Sequence, residues 1–104
     1  MKQEDRIYSL LGLASKAGFI SSGEFSVEQS VKRDKAKLVI VADDASDNTK
    51  QLFMNKCKFY KIPIRIYGDK LGIAHAIGKE LRTSIAVEDT GLAKKILGLV
   101  DIRR

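Results

Sequence analysis

The sequence predicts an α/β fold, a three-layer α/β/α sandwich with a small mixed sheet of about four strands and helices on both faces, and three observations carry that expectation. Segments of strand period alternate with segments of helical period along most of the chain, the pattern of a sheet covered on each side by helices. The stretch KLVIVA, residues 37–42, is uniformly apolar, rich in β-branched side chains and too short for a helix, so it reads as a central strand buried on both faces. The 104 residues are 44% hydrophobic with one proline and no low-complexity tract, which suits one compact domain over 1–104 and leaves no room for a second.

Taken in order, the first helix is marked by Ile7, Leu10, Leu11 and Ala14 at helical spacing. Glu4 and Asp5 stand where the helix dipole favours acids, and Lys16 and Gly18 stand at its end. FISSG, residues 19–23, is a short extended segment closed by a turn. A second helix follows from Glu24 to about Asp34, with Val27 and Val31 one turn apart on its inner face. After the central strand, DDASDNTK supplies turn and capping residues, and Leu52, Phe53, Cys57 and Tyr60 mark the inner face of a third helix. Ile62 ends that helix, because the ring of Pro63 disfavours helical geometry in the residue before it. PIRIYG, residues 63–68, is a shorter strand carrying Arg65. Asp69 is positioned to cap a brief helix from Lys70 to about Ile77, and TSIAVED, residues 83–89, is the next strand. Thr90 is positioned to cap a closing helix through Leu97, and residues 101–104 are expected to fray.

Composition narrows the function. The lone Cys57 has no intrachain partner, and with a single histidine the chain lacks the ligands for a metal site, so a reducing, cytoplasmic setting without a cofactor is expected. MKQEDRIYSL carries acids where a secretory leader needs a basic start and an apolar core, and no apolar run reaches membrane-span length, so no membrane partner is expected. Nineteen Lys and Arg against thirteen Asp and Glu give a net charge of +6, which favours a polyanion such as nucleic acid.

Catalytic chemistry finds little support. GIAHAIGKE departs from a phosphate-binding loop in glycine spacing, in having Glu80 after Lys79 where a hydroxyl is needed, and in its apolar helical character. His75 has no second polar partner in view and reads as a structural histidine, while Cys57 between Phe53 and Tyr60 reads as core. Asp43 and Asp44 end a strand, a common place for catalytic acids, but Ser46, Asp47 and Asn48 follow as a ready helix cap and make turn and cap formation the better reading. The protein is not expected to be an enzyme.

The stretch with most to say is SSGEFSVEQSVKRDKAK, residues 21–37. A helix N-terminus offers unpaired backbone N–H groups and partial positive charge, a natural seat for a phosphate, and Gly23 leaves an incoming backbone unobstructed. Lys16, Lys32, Arg33, Lys35 and Lys37 are expected to ring that mouth as one anion seat. The plainer reading, cations neutralising the end of their own helix, accounts for Lys32 and Arg33 but not for Gly23 or Lys16.

The order LLGLASKAG, SSGE, a helix, KLVIVADDAS, KIPIRIYG, LGIAHAIGKE and SIAVED resembles the kink-turn RNA-binding ribosomal protein superfamily of archaeal L7Ae and eukaryotic L30e type, most closely its small bacterial YlxQ-type members. The resemblance spans nearly the whole chain. It rests most on the spacing of fourteen residues from Gly23 to Lys37, on VADDAS, and on the Leu71–Gly72 pair. It implies a three-layer domain binding a sharply bent RNA at one end of the sheet. The family signature of Gly, any residue, Asn, Glu, two residues and Lys begins at Gly23, but its Asn and Glu fall on Phe25 and Ser26, following Glu24, and its Lys on Gln29. Its recognition loop falls on Gly78–Thr83, more charged than the family's apolar loop, with Lys79 and Arg82 able to reach phosphate. Ser26 and Gln29 retain hydrogen-bonding groups for base edges, and an exposed Phe25 would stack on an unpaired base.

The expectation is therefore a non-enzymatic, monomeric RNA-binding protein of the ribosome or another ribonucleoprotein, with a protein partner in that particle possible. The alternative is a protein–protein interaction module on the same fold that has lost kink-turn recognition.

Overall fold

The computed structural model describes residues 3–102, with side chains from Arg6 onward, so the expected acids Glu4 and Asp5 and the last two residues of the tail lie outside the described side chains. Among the described residues nine elements follow one another: α1 Gln3–Lys16, β1 Ile20–Ser22, α2 Glu24–Lys32, β2 Leu38–Val41, α3 Asp47–Tyr60, β3 Ile64–Ile66, α4 Lys70–Ile77, β4 Ser84–Val87 and α5 Thr90–Asp101.

The layering follows from β2. All four of its residues are buried, and the two-residue period of a strand sends them to opposite sides. Leu38 and Ile40 join Ile7 and Leu11 of α1, Ile73 and Ile77 of α4 and Ile96 of α5. Val39 and Val41 join Val27 and Val31 of α2 and Phe53 and Cys57 of α3. β4 repeats the division, with Ile85 and Val87 on the first side and Ala86 on the second. The result is the expected sandwich, with three helices on one face and two on the other.

The sheet runs β1-β4-β2-β3, with β2 and β3 parallel and the other pairs antiparallel. Register fixes its two ends. Ser22, Val41 and Ile66 leave their strands beside Ser84, while Ile20, Leu38 and Ile64 enter beside Val87. α2 begins at the Ser84 end and runs back to the Val87 end.

Local signals set the boundaries. Ser46 accepts from the Thr49 amide to cap α3, and Asp69 accepts from the Gly72 amide at 2.6 Å to cap α4. Asp44 adds a second carboxylate at α4, accepting from the Lys70 amide at 2.9 Å, so the VADDAS acids serve turn and cap. Close packing explains Gly12: a Cβ there would stand 3.0 Å from the Ala76 carbonyl oxygen, the approach of α1 to α4.

Four expectations shift. Asp89, not Thr90, caps α5, because its carboxylate reaches the Leu92 amide while Thr90 is already helical. α5 continues past Leu97 to Asp101, where Arg65 of β3 grips the carboxylate from Nε at 2.8 Å and Nη2 at 3.1 Å, so residue 101 is anchored, not frayed. α2 stops at Lys32 because Asp34 takes a left-handed conformation, φ 60°. Tyr60 leaves the inner face of α3; it is 38% exposed and stacks edge-on against Phe59.

Candidate functional site

Gly23 is where the chain turns from β1 into α2. Its φ of 91° and ψ of 154° belong to a region that glycine alone occupies comfortably, and a side chain there would meet open space. Its own N–H donates to the Ser84 carbonyl at 3.0 Å, and its carbonyl receives the first helical bond, from Val27 at 2.9 Å. The amides of Glu24, Phe25 and Ser26 thus lead the helix without intrahelical acceptors. α3, α4 and α5 each begin with a side-chain cap, whereas no side chain caps the start of α2.

Those open amides face a groove of about 550 Å³ at the Ser84 end. One wall is Gly23, Glu24, Phe25 and Ser26; the other is Leu81, Arg82 and Thr83 from the loop before β4. Lys70, at the start of α4, closes it. Arg82 is held in place: Nε donates to Ser22 Oγ at 3.1 Å and Nη1 to the Leu81 carbonyl at 2.8 Å, which leaves Nη2 for a ligand. Phe25 is 74% exposed and Leu81 55%, so two apolar side chains border a cationic mouth. Glu24, the acid of the first turn, lies within 3.5 Å of Thr49 Oγ1 in α3.

A smaller groove of about 280 Å³ continues along α2 from Phe25 and Ser26 past Gln29 to Arg33 and Lys35. Its floor is polar and already paired: Ser21 Oγ and Ser30 Oγ both donate to Glu88 Oε2, at 2.7 and 2.6 Å.

The sequence-expected residues therefore divide. Gly23, Glu24, Phe25, Ser26 and Arg82 share the mouth, and Gln29 lies one turn along. The single ring of cations is not found. Lys32 is drawn to Glu28 at 3.8 Å, and Lys56 shares that carboxylate at 3.3 Å. Lys35 and Lys37 precede β2 at the Val87 end, a helix length of about 13 Å from Gly23, because α2 runs antiparallel to the strand that follows it. Lys37 Nζ donates to the Asp34 carbonyl at 3.2 Å. Lys16 is exposed at the end of α1 and Lys79 is exposed just after α4, and neither lines the mouth. Lys70 and Leu81 take the places expected of the distant lysines. Leu81 was concealed by the charges around it in GKELRT, whereas Lys70 had a signal in the capping Asp69 that fixes it at a strand exit.

Elsewhere the chemistry is structural. Burial pushes the Cys57 thiol up to about 11, so it is protonated and inert at neutral pH. His75 is exposed on α4. Among the described residues no group of three or more His, Cys, Asp or Glu could hold a metal, and no helix is long and apolar enough to cross a membrane.

Residues 5–97 match the model of the ribosomal protein L7Ae/L30e/S12e/Gadd45 family. The chain is 39% identical over 94 residues to a Bacillus subtilis protein named RNA-binding protein YlxQ, covering 90% of this chain and 94% of that one. An Enterococcus faecium protein of the same name is 37% identical over 93 residues, covering 89% of each. Among solved structures, a Bacillus halodurans C protein of unknown function superposes with a TM-score of 0.89 at 38% identity, over 91% of this chain and 96% of that one. The Giardia lamblia 15.5kD RNA binding protein shares the fold, with a TM-score of 0.81 at 21% identity over 98% of this chain and 91% of that one.

Proposed function

The chain belongs to the ribosomal protein L7Ae/L30e/S12e/Gadd45 family, and from that premise we propose that it is a non-enzymatic RNA-binding protein that grips folded RNA at the mouth of α2. The observation that carries this reading is the meeting, on one groove, of three kinds of group: unpaired backbone amides, an anchored guanidinium and two exposed apolar side chains. Amides and Arg82 suit phosphate oxygens, with Lys70 adding a mobile charge. Phe25 and Leu81 suit the face of a base.

A regular duplex keeps its bases stacked and offers nothing to Phe25. A kink or bulge that extrudes a base beside its own backbone satisfies both parts of the groove, so the substrate class is sharply bent, kink-turn-like RNA of a ribonucleoprotein. Recognition differs from the family signature. Phe25 and Ser26 stand where Asn and Glu would read guanine edges, so stacking and phosphate contact take a larger share of the affinity than base-edge hydrogen bonds.

The test is a salt series on two labelled RNAs of equal length, one with a kink-turn and one a continuous duplex. The bent RNA is expected to bind at least ten-fold more tightly, with a log–log salt slope on the order of −2 to −3 for two or three phosphate contacts. Equal, weak binding of both would remove the proposed specificity. No RNA binding at all, together with a stable complex with a ribonucleoprotein polypeptide, would favour the protein-interaction module.

A further inference from the structure

The cations that do not reach the mouth gather at the opposite end of the sheet, and they gather around exposed aromatic rings. Val39 pairs with Ile64, and its amide donates to the Pro63 carbonyl at 2.9 Å, so Lys37 and Lys61 stand at the entrances of neighbouring parallel strands. The last turn of α3 brings Lys58, Phe59 and Tyr60 to the same end, and the connection from α2 to β2 brings Arg33 and Lys35. Phe59 is 77% exposed, the highest value among the exposed large apolar side chains, and its ring meets that of Tyr60 at a centroid distance of 4.9 Å and 78°. Together they form an aromatic ledge at the end of the sheet to which these five cations also come.

The negative poles of α2 and α3 explain part of that charge but not all of it. The closing carbonyls of α3 are already satisfied by backbone: the Ile62 amide donates to Cys57 at 2.8 Å and the Lys61 amide to Lys58. Among the described residues Arg33, Lys35, Lys58 and Lys61 make no side-chain ion pair. The acids at this end are Asp34, Glu88 and Asp89; the Glu88 carboxylate is taken by two serine hydroxyls and that of Asp89 accepts from the Leu92 amide. A dipole has no use for two adjacent solvent-facing rings.

Positive side chains interleaved with exposed aromatics are the chemistry that holds an unpaired nucleic-acid strand, whose bases stack on the rings while phosphates follow the cations. We propose that the Phe59–Tyr60 ledge with Lys58, Lys61 and Lys37 is a second RNA site, specific for unpaired nucleotides and separate from the mouth of α2. The inference rests on the RNA-binding reading above and extends it: the protein holds a bent element at one end of its sheet and a single-stranded segment at the other.

The probe is fluorescein-labelled oligouridine of twelve nucleotides, used beside the kink-turn RNA on the full chain. Phe59→Ala, and separately the pair Lys58→Gln and Lys61→Gln, are expected to weaken oligouridine binding about ten-fold while changing kink-turn binding less than two-fold. Phe25→Ala and Arg82→Gln are expected to do the reverse. All these side chains are exposed or half-buried, and thermal melts check that each variant folds. Oligouridine binding that survives both ledge variants, or that is lost with Arg82→Gln, overturns the second site and leaves the first intact. A wild-type protein that holds the kink-turn but not oligouridine has the same meaning. A wild-type protein that holds neither RNA overturns the function itself.

Discussion

Arg82 Nε donates to Ser22 Oγ at 3.1 Å, which fixes a guanidinium from the loop before β4 beside the glycine that opens α2. Two elements 60 residues apart in sequence thereby present their positive groups to one groove. Arg82→Gln removes the charge at a half-buried position and is expected to weaken kink-turn binding about five- to ten-fold and to flatten the salt slope by about one. Arg82→Lys retains charge without the fixed fork, so it should keep the slope but recover only part of the affinity. A glutamine variant with an unchanged slope would place the phosphate elsewhere.

Phe25 separates stacking from charge. Its ring is 74% exposed and joins neither buried cluster, so Phe25→Ala should leave the melting temperature within about a degree while costing about 1–3 kcal/mol of binding to an RNA with an extruded base. Phe25→Trp should bind at least as well as the parent. Calorimetric titration against the same kink-turn with and without its extruded nucleotide checks the assignment: the alanine variant should lose discrimination between the two.

The backbone of the mouth has its own test at Gly23. A Cβ there meets no atom within 4 Å, so Gly23→Ala creates no clash and its cost is conformational alone. With φ 91° and ψ 154°, that cost is expected to be about 1–3 kcal/mol in chemical denaturation. If the alanine variant relieves its strain by moving φ, the three open amides turn with it and RNA binding falls further than stability does. A neutral variant in both measurements would mean that the turn tolerates another geometry.

Much of this was legible in the sequence, and the reason differs from element to element. β2 and the inner faces of α2 and α3 follow from side-chain period, a local property, and so do the caps at Ser46 and Asp69. Asp89 and Thr90 are both capping residues, and adjacent candidates cannot be separated without knowing which backbone leaves helical geometry first. Asp101 looks like tail in the sequence because its partner Arg65 is 36 residues away. The expected ring of cations fails in the same way. Lys32, Lys35 and Lys37 are near Gly23 in sequence, but α2 carries the chain the full length of the sheet before β2 begins, and sequence proximity became spatial opposition. Leu81 and Lys70, far along the chain, arrive at the mouth because β3 and β4 both pass through the Ser84 end.

Cys57 gives the fold a dependence on alkaline pH whose sign can be worked out. It is 1% exposed against Phe53 and Val41, and burial raises its pKa from 9.0 to about 11. The buried thiol is favoured neutral, so between these values the unfolded chain releases a proton that the folded chain keeps. Stability is therefore full below about pH 9 and falls as pH rises toward about 11, by an amount on the order of 2–3 kcal/mol from this group. Other groups titrate in the same window, so the measurement is a difference. Cys57→Val keeps an apolar side chain of similar size without a titratable proton, and urea denaturation of both proteins at pH 8 and pH 10.5 should show the parent losing more stability than the variant. At pH 8 a thiol reagent should label the folded parent only through opening of the α2–α3 layer, with a rate that follows the population of open molecules. Parallel loss in parent and variant, together with rapid labelling of the native protein, would mean that the thiol is not sealed between the sheet and α3.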